Sequence, residues 1–163
     1  FDGIRLEHYM VEGSNENLKR VFALVEMPGN ELWVGTGMGL FRLADDAEKL
    51  ERLAPEMITS GVHAFCKLGD VLYVGTEKGL YVYKGGVFEH VLVDKNIFSR
   101  ANFVTGMVEG ENGILWLSTM GGLKSLRLSD QSITSFSDKW RRTGRTFLSI
   151  TSHVSAQRFL WVQ

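Results

Sequence analysis

The chain has 163 residues, 44% hydrophobic and 23% charged, a balance that excludes disorder throughout and matches ordinary globular proteins. Its 18 lysines and arginines nearly cancel its 19 acids, leaving a formal charge of -1, so no global field favours a polyanion and nucleic acid is not an expected partner. The single cysteine, Cys66, excludes an intrachain disulfide and any multi-cysteine metal site; no apolar run approaches the roughly eighteen residues of a membrane span, and this segment is expected to make no membrane contact.

Eighteen glycines against two prolines predict many short strands joined by tight turns. In chain order, Ile4-Arg5-Leu6-Glu7-His8-Tyr9 alternates as a strand. Val21-Phe22-Ala23-Leu24-Val25-Glu26 is the next, followed by the turn residues Pro28-Gly29-Asn30 and by Leu32-Trp33-Val34-Gly35-Thr36-Gly37-Met38-Gly39-Leu40, which holds a strand and a Gly-containing hairpin. A further strand is expected near Lys49 to Leu53. The same succession returns as Val62-His63-Ala64-Phe65-Cys66-Lys67, the turn Leu68-Gly69-Asp70, Leu72-Tyr73-Val74-Gly75-Thr76-Glu77-Lys78-Gly79-Leu80, and Val87-Phe88-Glu89-His90-Val91. It returns again as Val104-Thr105-Gly106-Met107-Val108-Glu109, Glu111-Asn112-Gly113, Leu115-Trp116-Leu117-Ser118-Thr119-Met120-Gly121-Gly122-Leu123 and Ser132-Ile133-Thr134-Ser135-Phe136. A fourth copy opens with Phe147-Leu148-Ser149-Ile150-Thr151-Ser152 and stops just after Leu160-Trp161-Val162.

The landmarks Trp33, Tyr73, Trp116 and Trp161 stand 40, 43 and 45 residues apart, the period of one four-stranded propeller blade. Leucine-rich and ankyrin periods are shorter, and helical solenoids need a 3.6-residue periodicity that these segments lack. The expected fold is all-β: a β-propeller fragment of about three complete four-stranded antiparallel blades, near residues 21-54, 62-93 and 103-137, with partial blades at 1-10 and 147-163, the whole 1-163 forming one propeller segment. The small residues Ala23, Ala64, Gly106 and Ser149 suit an innermost strand, where blades converge. Both ends are out of phase with complete blades, so a piece of a longer propeller is expected, with a closed four-bladed ring as the competitor.

Three copies of Leu-aromatic-aliphatic-Gly/Ser-Thr-x-x-Gly-Leu at blade spacing, and part of a fourth, resemble the two-component regulator propeller repeat. Tyr73 for Trp, Ser118 for Gly and the Leu68-Gly69-Asp70 turn depart from its pattern. The resemblance implies the periplasmic sensor portion of a bacterial hybrid two-component protein, a membrane-bound signalling class in which propellers often detect carbohydrate. It further implies that the remaining blades of a longer protein are partners of this segment.

No motif for catalysis stands out. Gly35-Thr36-Gly37-Met38-Gly39 fits a hairpin and not a dinucleotide loop, because Leu40 displaces the third glycine and a strand follows. His8, His63, His90 and His153 show no metal-ligand spacing, and Asp45-Asp46 suits a solvated turn and not a calcium loop. Cys66 lies in an apolar strand and is expected to be a small core residue. The landmark tryptophans are expected in the inter-blade core. Neither a catalytic residue, a metal nor a cofactor is expected. The segment that breaks the repeat is Lys139-Trp140-Arg141-Arg142-Thr143-Gly144-Arg145-Thr146, in the connection between blades. Trp140, Arg141, Arg142 and Arg145 are the candidate ligand-binding residues, because indole stacks on sugar rings and Arg forks grip carboxylate or sulfate. Its bland alternative is a solvated basic loop. The expected function is ligand sensing, with an oligosaccharide or other small molecule as partner; the alternatives are a structural or protein-interaction propeller, including a homodimer, and a propeller glycan lyase or hydrolase.

Overall fold

A computed structural model describes residues 10–11, 20–45, 47 and 49–136. The chain divides into two compact units, Phe1–Val62 and His63–Gln163. In the first, β2 (Val21–Met27), β3 (Glu31–Thr36), β4 (Gly39–Leu43) and β5 (Lys49–Leu53) form an antiparallel meander. The two-residue β1 (Met10–Val11) lies parallel to β5 at its outer edge, giving the order β1-β5-β4-β3-β2. Val34, Phe41 and Leu50 are the buried centre of this sheet, flanked by Leu32 and Leu43.

The second unit contains two further four-stranded sheets: β6 (Val62–Leu68), β7 (Val71–Thr76), β8 (Gly79–Lys84) and β9 (Val87–Val91), then β10 (Val104–Glu109), β11 (Ile114–Thr119), β12 (Gly122–Arg127) and β13 (Ile133–Ser135). Ala64 and Leu80 from one sheet, and Val104, Met107, Leu115, Leu117 and Leu126 from the other, share one buried apolar cluster. The two sheets therefore pack face to face, as consecutive blades.

The Thr-x-x-Gly repeat is explained by a hydroxyl clasp. Thr76 Oγ1 donates to the Gly79 carbonyl at 2.9 Å and accepts from the Lys78 amide at 3.0 Å. Thr36 makes the same pair of bonds with Gly39 and Met38, at 3.0 Å each. Thr119 repeats it with Gly122 at 2.6 Å and Gly121 at 3.1 Å. All three threonines are buried, so the hydroxyl closes the hairpin where water cannot. Gly79 has φ +124°, and a Cβ there would sit 2.8 Å from His90 Nε2; both conformation and space demand glycine.

Small residues of the two inner strands, Ala64 of β6 and Gly75 of β7, make a notch. A methyl group built on Gly75 would lie 2.8 Å from Val104 Cγ1 and 3.4 Å from Ala64 Cβ. Val104 of the following blade is thus seated over the Gly75–Ala64 pair. The innermost strands β2 and β10 carry register shifts at Phe22 and Thr105, bulges of the kind that re-aim a side chain.

The connection from β9 to β10, residues 92–103, is held by side chains. Asn102, 1% exposed, accepts from the Asp94 amide at 2.9 Å and donates to the carbonyls of Asp94 and Asn96 at 3.1 and 2.9 Å. The Asp94 carboxylate accepts from the Asn96 amide at 3.0 Å and from the Ser99 hydroxyl at 2.9 Å. Those hydrogen bonds, the Asn96 amide's first and the Ser99 hydroxyl's second, hold the Asp94 carboxyl below its ordinary value.

Two outcomes follow from these contacts. Thr76→Val keeps the shape but removes both clasp bonds; urea unfolding should show a loss of about 1–3 kcal/mol, and an unchanged midpoint would show that the clasp carries no stability. Because the folded Asp94 pKa is depressed, its stabilisation is present above the unfolded value of 3.8 and is lost as pH falls through the lower folded value. Asp94→Asn should therefore flatten the acid limb of the stability–pH curve below about pH 4, as read by denaturant midpoints; an acid limb identical to wild type would contradict this.

Candidate functional site

In the second unit the hairpin turns and the inter-blade connection meet at one end of the sheets. His90 Nε2 lies 2.8 Å from the Lys78 carbonyl and its ring stacks on Tyr81 at 4.6 Å. The Met120 amide donates to the Phe103 carbonyl at 2.9 Å, and a Cβ on Gly121 would meet the Ala101 backbone at 2.6 Å. Connection and hairpins thus brace one another, which suits a surface whose side chains vary while its backbone stays fixed.

His63, in innermost strand β6, reaches the next hairpin of its own blade: Nε2 is 3.2 Å from Glu77 Oε1. Its ring also packs on Phe103 of the following connection, with centroids 4.8 Å apart. The imidazole is therefore a packed, hydrogen-bonded strand residue. In the neighbouring blade Thr105 takes the same place and its hydroxyl meets Ser118 Oγ at 3.0 Å. Lys78, Lys95 and Arg100 are exposed at this end, together with Ile97 and Phe98.

The sequence-derived ligand residues Trp140, Arg141, Arg142 and Arg145 lie outside the described residues, as do His8, His153 and Trp161. The landmark aromatics serve structure. Trp33 is buried and its indole N–H donates to Glu31 Oε2 at 3.1 Å; Arg42 bonds Glu31 on one side and Glu51 at 2.7 Å on the other. Tyr73 packs on the inter-blade cluster. Trp116 alternates with the cluster residues Leu115 and Leu117, and is half-buried against Phe136 at 5.1 Å. Burial pushes the Cys66 thiol up, and the Glu109 carboxylate adds to it, the setting of an inert core cysteine. Among the described residues no three potential ligand side chains converge to hold a metal.

One residue escaped the sequence reading. Phe41 and Tyr81 fill the third place of the third strand, facing Val34 and Val74. Lys124 fills it in the next blade, facing Leu117, at 8% exposure. Its Nζ donates to Ser135 Oγ at 2.7 Å, and its charge helps hold the Asp94 carboxylate ionised. The break from aromatic to lysine at a fixed repeat position was the available signal.

No protein-family model and no curated protein matches the chain. Solved structures do. The chain is similar to an extracellular domain assigned to a hybrid two-component system of B. thetaiotaomicron, at 22% identity over 89% of this chain and 19% of that one, with TM-score 0.63. A second extracellular domain with the same kind of assignment, from the same organism, matches at 20% identity over 83% and 19%, TM-score 0.62. An ancestral GH74 enzyme matches at 20% identity over 70% and 18%, TM-score 0.56. The chain thus spans about a fifth of the length of these proteins. Both signalling proteins and an enzyme share this architecture, so the likeness speaks to fold. Three sheets, each built on a four-stranded antiparallel meander, and these likenesses together establish that the chain is a segment of β-propeller.

Proposed function

We propose that this segment is a ligand-sensing or binding module, the extracytoplasmic part of a bacterial membrane-bound two-component protein, and that it responds to carbohydrate in the periplasm. The observation that carries the reading is the fold likeness, over 83–92% of the chain, to extracellular domains assigned to one- and two-component systems. The repeat residues point the same way. The described hairpin and connection residues add no catalytic constellation: His63 is engaged by Glu77 and Phe103, and Cys66 is half-buried with a raised thiol. A binding role is therefore favoured over hydrolysis or lysis of glycans. Among the described residues no helix is long and apolar enough to cross a membrane.

The ligand is an oligosaccharide, and an acidic one is favoured by the cationic segment that breaks the repeat. In this reading Trp140 stacks on a sugar ring while Arg141, Arg142 and Arg145 engage its carboxylate or sulfate groups. The remaining blades of a longer chain complete the propeller.

Calorimetry of the full-length protein against neutral and acidic oligosaccharides tests this. An acidic oligosaccharide should bind, and the combined Arg141→Ala, Arg142→Ala and Arg145→Ala variant should bind it about tenfold more weakly or worse. Equal affinity in that variant removes these arginines from the site. Glycan turnover by the wild-type protein would replace sensing with catalysis.

A further inference from the structure

The 92–103 connection turns two large apolar side chains into solvent: Ile97 is 63% exposed and Phe98 88%. They are not loosely held. The turn closes through the Ser99 amide on the Asn96 carbonyl at 2.9 Å. The Phe98 amide donates to Asn96 Oδ1 at 3.1 Å and the Asn96 amide to Asp94 Oδ1 at 3.0 Å. The buried Asn102 amide anchors the base of the loop to the backbone of Asp94 and Asn96. Such a loop presents its tip in one shape and loses little freedom when the tip is engaged.

Charge at the tip is sorted. The loop's one acid, Asp94, is folded inward on Asn96 and Ser99, while Lys95 and Arg100 flank the apolar pair and are exposed. Glu77, the acid of the adjacent hairpin, is engaged by His63.

We propose that this tip docks on an anionic lipid surface, with Ile97 and Phe98 entering the headgroup–acyl boundary and Lys95 and Arg100 meeting lipid phosphates. Three features favour lipid over a protein pocket. The apolar surface is two adjacent, exposed residues of one loop, which a fluid interface accepts without a matching cavity. The amides of Asn96, Phe98 and Ser99 are already bonded within the loop, so leaving water strips none of these three of its partner. The cations stand beside the apolar pair, as in elements that lie in the interface plane and use both apolar burial and anionic lipid. Such docking departs from the expectation that this segment makes no membrane contact; that expectation rested on the lack of a spanning apolar run, which an interfacial tip does not need. The inference is independent of the saccharide reading.

The test is co-sedimentation of the full chain with vesicles of phosphatidylcholine containing about a third phosphatidylglycerol, beside pure phosphatidylcholine vesicles. Wild type should partition onto the anionic vesicles and less onto the neutral ones. Phe98→Ser should reduce partitioning about fivefold or more, and Lys95→Glu with Arg100→Glu should do so at low salt. Thermal stability of Phe98→Ser should match wild type, since the ring packs on little, so the loss reads binding and not folding. Equal partitioning of wild type and Phe98→Ser would overturn the proposal. So would absence of vesicle binding together with self-association in sedimentation velocity that Phe98→Ser abolishes, which would assign the tip to a protein contact.

Discussion

The seating of Val104 over Gly75 and Ala64 is the contact on which the second unit depends. Two strands of one blade carry the smallest side chains where the first strand of the next blade crosses, and the gap they leave is filled by a β-branched residue. Close packing then brings Leu80 of one sheet into a common cluster with Leu115, Leu117 and Leu126 of the other. A larger side chain at position 75 would force the sheets apart and expose that cluster, which is why small residues recur there. The next copy keeps the balance by exchange. Gly106 replaces the alanine and Ser118 the glycine, the two are Cα partners, and the added hydroxyl is satisfied by Thr105.

Much of this frame was legible in the sequence because it repeats. The alternation of β2–β4, the turn glycines and the Thr-x-x-Gly residues of the clasp recur three times, 40 and 43 residues apart, so each copy corroborates the others. The outer strand Lys49–Leu53 was legible only from its place in the repeat. Ser118 looked like a departure from the pattern because a single position was compared; the compensating Gly106 lies on the neighbouring strand. Lys124 was legible only by aligning it with Phe41 and Tyr81, where a charged residue takes an aromatic's place.

The surface that serves function was less legible, for a physical reason. Repeats constrain the blades and leave the connections free, so position in the repeat says nothing about a connecting residue. Nothing in the repeat marks Ile97-Phe98, which sits in a loop held by the side-chain hydrogen bonds of Asp94, Asn96 and Asn102. His63 sits in an innermost strand, and Glu77 and Phe103 occupy its ring. Trp140, Arg141, Arg142 and Arg145 lie outside the described residues, and the role proposed for them rests on the chemistry of the segment.

The nesting of one blade on the next is tested most directly by a double-mutant cycle of Gly75→Ala and Val104→Ala, followed by urea denaturation. Gly75→Ala should destabilise the protein, and its cost should fall by about 1 kcal/mol or more when Val104 is already truncated, because the two side chains compete for one space. An identical cost of Gly75→Ala in both backgrounds would mean that the two residues do not meet, and would contradict the blade-on-blade packing on which the fold assignment rests.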